Sequence, residues 1–201
     1  MKGERVSKRE LRRAALLDVA ATMFLAHGYE GVSIDAVVAR AGGTKTNVYT
    51  YFGNKARLFE AVVEQLCKEL AARQPDLSGS APAQALRAFG SAYLKAAADK
   101  RAIGLQRLVI AEAARFPGLG KHWLKLGPDA ARTTVAAYLT GQGMREADAR
   151  KLASHFLSLL GGELQRQLVT GSKAQSGQEI DAHVSDALAL ILQGTKLGKR
   201  K

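Results

Sequence analysis

An all-α fold is predicted by three observations. Apolar residues recur at helical spacing along most of the 201-residue chain. No run alternates with period two and β-branched enrichment, and Ala, Leu, Arg and Lys fill most segments. Gly, Pro and Ser cluster at a few points that divide the chain into helix-sized pieces. The expected architecture is an N-terminal three-helix domain containing a helix-turn-helix, followed by a larger helical domain, with about nine helices in all.

The elements follow in order. Ser7 and Glu10 have capping-box spacing and open a helix that stops before Gly28; Leu16, Ala20, Met23 and Phe24 give it one apolar face. Ser33 caps a short helix from Ile34 to Ala41, which Gly42-Gly43 breaks. Thr44 caps a second short helix reaching about Tyr51. Asn54 caps a longer one from about Lys55 to Ala72. The stretch from Gln74 to Pro82 is rich in turn residues and marks the domain boundary. Helical stretches are then expected near 82–99, 101–115, 118–126, 128–140, 146–169 and 178–192. The domains are therefore 1–54, linked through a helix over 55–73, then 74–195, with a basic tail over 196–201.

Bulk composition narrows the function. Lys plus Arg is 30 against 18 for Asp plus Glu, a formal net charge of +12 that suits a polyanionic partner. No apolar run reaches the roughly 18 residues of a membrane span, and the charged N-terminus does not read as a signal peptide, so a cytoplasmic protein without membrane partners is expected. The single cysteine, Cys67, excludes an internal disulfide and sits in an apolar-periodic run where a small buried side chain is expected; a redox-sensing thiol is the alternative. His27, His122, His155 and His183 lack metal-ligand spacing, the Gly-x-Gly pairs at 118–120 and 141–143 follow no strand, and there is no nucleophile elbow. No catalytic residue, metal or cofactor is expected.

The segment 33–52 reads SIDAVVARAGGTKTNVYTYF. Two short helices joined by a glycine turn, with small residues Ala36, Val37, Ala39 and Ala41 on the first, make a helix-turn-helix. The second helix would place its N-terminal residues on base edges in a major groove. Lys45, Thr46 and Asn47 are the candidate base readers, since Asn pairs with adenine and Lys donates to guanine. Thr44, Tyr49 and Tyr51, with Ser33 and Thr50, carry hydroxyls suited to phosphates. Lys55, at the start of the next helix, adds an ammonium beside a helix N-terminus. The basic residues Lys2, Arg5, Lys8, Arg9, Arg12 and Arg13 suggest an arm for phosphates or the minor groove.

The segment from about Arg12 to Val63 resembles the DNA-binding domain of the TetR family of bacterial regulators. The resemblance rests on AHGYEGVSIDAVVARAG followed by TKTNVYTYFGNKARLFEAVV, above all on Tyr49-x-Tyr51-Phe52-x-x-Lys55-x-x-Leu58-Phe59. RLVIAEAARFPGLG at 107–120 is similar to the regulatory domain of AefR-like members. The family often has Ser and Gly where this chain has Thr44 and Thr46, so its base preference is its own. The resemblance implies a regulator of transcription, most simply a homodimeric repressor released from a palindromic double-stranded DNA operator by an unknown small-molecule effector. An activator, or a non-specific architectural DNA-binding protein, is the alternative.

A dimer is expected on physical grounds too, because one recognition helix reads few bases. Two recognition helices read half-sites about 34–36 Å apart. Leu152, Phe156, Leu159, Leu160, Val184, Leu188 and Ile191 are the candidate interface residues on the last two helices. Gly161-Gly162 within the first of these would cost about 1 kcal/mol per residue, and a close helix approach or a bend would offset it. For the effector pocket implied by the resemblance, the candidates are Phe89, Tyr93, Leu105, Leu108, Val109, Glu112, Trp123, Tyr138, Phe156 and Glu163, apolar with a few polar groups.

Overall fold

The structure, a computed structural model, describes residues 7–171 and 175–194. Ten helices occupy those residues: α1 (Lys8–His27), α2 (Ile34–Ala41), α3 (Lys45–Phe52), α4 (Lys55–Ala71), α5 (Pro82–Ala97), α6 (Lys100–Glu112), α7 (Leu119–Leu126), α8 (Pro128–Gly141), α9 (Glu146–Thr170) and α10 (Gly177–Gly194). Local chemistry explains most of the ends. Ser7 accepts from the Glu10 amide at 3.2 Å while Glu10 accepts from the Ser7 amide at 2.8 Å, the expected capping box. Gly28 and Gly53 end α1 and α3 at φ +70° and +83°. Pro82 and Pro128 sit in the first turns of α5 and α8, where the missing amide proton costs nothing. None of the described helices is long and apolar enough to cross a membrane.

The chain divides into two compact units. The first comprises residues 7–68 and 104–123, the second 69–103 together with the described residues from 124 onward. The segment 104–123 was expected in the C-terminal domain. It groups with the N-terminal unit for a packing reason. Phe116, just after α6, meets Tyr29 edge-on at 4.8 Å between ring centroids and Phe59 at 5.4 Å. Phe59 also meets Phe24 at 5.1 Å. Each such pair adds about 0.5–1.5 kcal/mol beyond its buried area. Gly104 gives α6 a flat surface on which Leu25 lies.

In the second unit α5, α9 and α10 pack on one another and α8 packs on α9. Phe89, Leu94, Phe156, Leu160, Val184 and Leu188 form the centre of its core. Ser91 and Lys95 of α5 both bond Asp181 of α10, and Arg87 bonds Ser185, so polar ties flank the apolar seam. The close approach of helices falls at Gly90, where an added Cβ would meet Val184, Leu160 and Phe156 at 3.0–3.1 Å. It does not fall at Gly161-Gly162. There, among the described residues, a Cβ on Gly161 meets only Gln165 of the same helix, and one on Gly162 meets open space.

Four of the residues expected at a dimer interface are therefore spent inside the chain. Phe156, Leu160, Val184 and Leu188 are at most 2% exposed. Helical period shows that α9 and α10 are apolar over a broad arc but not which part of it the rest of the chain covers, and these four residues lie in one core with Phe89 and Leu94 of α5. Among the described residues, Leu159 and Leu190 are the large apolar side chains left open on these helices, and Leu152 and Ile191 are half-buried.

Gly90→Val is expected to destabilise the second unit by about 1–3 kcal/mol through overpacking, whereas Gly162→Ala leaves it unchanged or slightly more stable. Urea unfolding of the two variants checks this; equal midpoints would show that the Gly90 contact is unimportant.

Candidate nucleic-acid interface

The helix-turn-helix is set up residue by residue. Ser33 Oγ accepts from the Ala36 amide at 3.1 Å and starts α2. Gly42 and Gly43 turn the chain at φ +73° and +107°, values that side-chain-bearing residues rarely adopt. Thr44 Oγ1 accepts from the Asn47 amide at 3.3 Å and starts α3. Asn54 Oδ1 accepts from the Arg57 amide at 2.9 Å and starts α4. Side-chain caps of this kind contribute about 0.5–2 kcal/mol each. Val37 and Val48 are fully buried and Phe52 nearly so, which fixes the roll of α2 and α3 about their axes.

That roll decides what is presented. Ser33, Thr44, Lys45, Thr46, Tyr49 and Thr50 are exposed; Asn47, Tyr51 and Lys55 are half-buried. Tyr49 is 52% exposed, high for an aromatic ring that nothing in the fold needs outside. The surface around α3 is basic. Arg9 lies 5.8 Å from the Tyr51 ring centroid and Arg13 lies 5.1 Å from that of Phe52. Lys8, Arg9 and Arg12 line a shallow cleft with Ala41 and Tyr51. Lys8, Arg9, Arg12 and Arg13, the described residues of the basic arm, stand on the first turns of α1, the helix that Ser7 opens. Lys2 and Arg5, and the basic tail, lie outside the described residues.

Two of the candidate cations already have partners. Lys45 Nζ is 2.7 Å from Asp35 Oδ1, across the turn on α2. Lys55 Nζ is 4.2 Å from the Tyr29 ring centroid, and Arg115 approaches the same ring at 4.9 Å while pairing with Glu30. Lys55 would have to leave the ring to reach a phosphate. Such a contact is worth about 0.5–1 kcal/mol at an exposed site, small enough to be exchanged. Asp35 and Arg115 were not singled out from the sequence. Asp35 had a signal, being the one acid between Glu30 and Glu60. Arg115 had none, since Glu30 and Tyr29 lie far away along the chain.

Comparison with known proteins agrees with this geometry. A family model described as bacterial regulatory proteins, tetR family, matches residues 16–62, and one described as AefR-like transcriptional repressor, C-terminal domain, matches residues 84–194. The chain is also 31% identical over 190 residues to the HTH-type transcriptional repressor Rv3405c of Mycobacterium tuberculosis, across 92% of this chain and 91% of that one. It belongs to the TetR family. This TetR-family chain is thus a DNA-binding regulator of transcription, and the family is not one of enzymes.

The regulator matches other relatives over about a third of its length alone. It is 36% identical to the HTH-type transcriptional repressor SCO4008 of Streptomyces coelicolor, over 33% of this chain and 34% of that one. Among solved structures, a TetR-family regulator from Mesorhizobium loti superposes with a TM-score of 0.82 at 25% identity, covering 94% of this chain and 98% of the other. The flavonoid-responsive regulator FrrA superposes with a TM-score of 0.77 at 26% identity, covering 92% and 96%.

The candidate effector residues are divided between the two units. Leu105, Leu108 and Val109 are buried, and Glu112 and Trp123 half-buried, in the 104–123 segment of the first unit. Phe89, Tyr93, Tyr138, Phe156 and Glu163 belong to the second. Glu163 is exposed and pairs with Arg166, so it is no buried carboxylate awaiting a ligand. The Tyr138 hydroxyl donates to the Ser80 carbonyl at 2.7 Å. Tyr93 stacks on Phe89 with centroids 6.2 Å apart, and burial raises its phenol pKa. Cys67 is buried, and burial pushes its thiol up to about 11, with Glu64 adding to the shift. A thiol with that pKa is about one part in a thousand thiolate at pH 8, which argues against redox sensing.

Gly43→Ala is expected to cost about 1–2 kcal/mol, because φ is +107° there and the new methyl would press on Asn47 Nδ2 at 3.2 Å. Thermal unfolding measures the cost. Unaltered stability together with unaltered DNA binding would show that the turn tolerates a side chain and that Asn47 does not depend on it.

Proposed function

We propose that the chain is a homodimeric repressor that leaves a palindromic operator when a small molecule binds its helical regulatory domain. The carrying observation is the exposed first turn of α3: Thr44, Lys45 and Thr46 stand outside, with Asn47 at the edge, on a helix anchored by buried Val48 and Phe52. Thr46 and Asn47, with Lys45, are the base readers; Thr44, Tyr49, Thr50, Tyr51, Ser33 and Lys55 take phosphates. Arg9, Arg12 and Arg13 extend the positive surface beyond the motif.

Dimerisation supplies the second recognition helix. Leu159 and Leu190, with Leu152 and Ile191, are the side chains proposed to meet a second copy. The repressor names of the mycobacterial and streptomycete relatives support repression over activation, and the ligand-responsive name of FrrA supports an effector. The effector acts by population shift. It moves the dimer between DNA-competent and incompetent geometries only by its difference in affinity for the two. The proposed location is the cytoplasm, where the operator is.

The test is selection of duplexes from a random-sequence library by the full chain. A two-fold-related site is expected, bound at least about a thousandfold more tightly than a scrambled duplex at physiological salt. Asn47→Ala then weakens the selected duplex by about 1–3 kcal/mol and relaxes preference at one position per half-site. Lys55→Ala weakens selected and scrambled duplexes alike and lowers the salt slope. Enrichment of no sequence would contradict the function; equal effects of both variants on both duplexes would contradict the assignment of roles.

A further inference from the structure

We infer that Asp35 is a positioning residue for Lys45, and that the pair sets how strictly the recognition helix discriminates between its operator and other DNA. This rests on the DNA-reading function proposed above. Between Glu30 and Glu60 the chain carries one acid, Asp35, against Arg40, Lys45, Lys55 and Arg57. That acid stands in the first turn of α2 and reaches across the glycine turn to the first residue of α3, with Lys45 Nζ 2.7 Å from Asp35 Oδ1. Both side chains are about 60% exposed, and the caps Ser33 and Thr44 beside them in sequence are exposed too. A carboxylate here meets oncoming phosphates with like charge, which works against the general attraction of a basic surface for DNA.

The pair makes a specific demand on any DNA that takes Lys45. An exposed ion pair of this kind is weak, so a well-placed guanine O6 and N7 can compete for the ammonium. A phosphate can compete as well, but it would have to approach Asp35 while doing so. The carboxylate therefore penalises backbone capture of Lys45 more than base-edge capture. It also draws the ammonium toward α2, away from the extended positions a flexible lysine stem would otherwise sample. The hydrogen bond to Asp35 raises the Lys45 ammonium pKa, with the Asp35 charge second.

Asp35→Asn removes the charge at nearly constant shape, and Asp35→Glu keeps it. Full-length wild type and both variants are titrated, by fluorescence anisotropy over a range of NaCl concentrations, into the duplex that wild type selects and into a scrambled duplex of the same composition. Asp35→Asn is expected to bind the scrambled duplex about two- to fivefold more tightly, by the worth of an exposed pair. Its salt slope on that duplex should steepen by about 0.9, one further phosphate neutralised. The ratio of selected to scrambled affinity should fall, Asp35→Glu should keep the wild-type ratio, and Lys45→Met in the Asp35→Asn background should abolish the gain. Thermal unfolding confirms that each variant is folded. A wild type that enriches no sequence overturns the DNA-reading function and this inference with it. A selective wild type whose ratio and salt slope Asp35→Asn leaves unchanged overturns this inference alone.

Discussion

An eight-residue helix does not hold together in water by itself, and α3 is eight residues long. It exists because Val48 and Phe52 are buried beneath it, Thr44 caps its start and Gly53 lets the chain leave at its end. Everything proposed for this protein depends on that burial. With two positions of α3 fixed inward, helical geometry fixes the other six. Lys45 and Thr46 must face out, Asn47 must sit at the edge, and Tyr49 and Thr50 must stand exposed one turn further on. The presentation of chemistry to DNA is thus the far side of a packing constraint, and the glycine pair at 42–43 sets where that side begins.

A second constraint surrounds Tyr29. Its ring lies against Phe24, Phe59 and Phe116, while Lys55 and Arg115 approach it with their charges. Through Phe116 the stretch after α6 becomes part of the unit that carries the recognition helix. Lys55 is consequently a residue with two possible duties, packing on an aromatic face and contacting a phosphate, and a weak cation–π contact lets it serve either. Asp35 and Lys45 show the same economy, since a weak exposed pair joins α2 to the first residue of α3.

The local signals in the sequence were reliable because they act over three or four residues. Ser7, Ser33, Thr44 and Asn54 all cap helices, and Gly28 and Gly42 end them, as their spacing implied. What period could not reveal was which neighbour covers an apolar face. Phe156, Leu160, Val184 and Leu188 are apolar because α5 packs on them, with Gly90 allowing the approach, and nothing in the spacing distinguished that from a second subunit. Phe116 was equally opaque: its partners Tyr29 and Phe59 lie far away along the chain. Glu163 and Asp35 show the same limit for charge, since whether a carboxylate is solvated or paired depends on what the fold brings beside it.

We propose above all that the first turn of α3 lies in a major groove. Dimethyl sulfate protection on the selected duplex tests it most directly, because the reagent methylates guanine N7 in the major groove and adenine N3 in the minor. Protection of guanine N7 is expected in two clusters about one helical turn, or a whole number of turns, apart. In Asn47→Ala that protection should weaken in both clusters together. Protection confined to adenine N3, or guanine N7 reacting as in free DNA while the protein is bound, would contradict it.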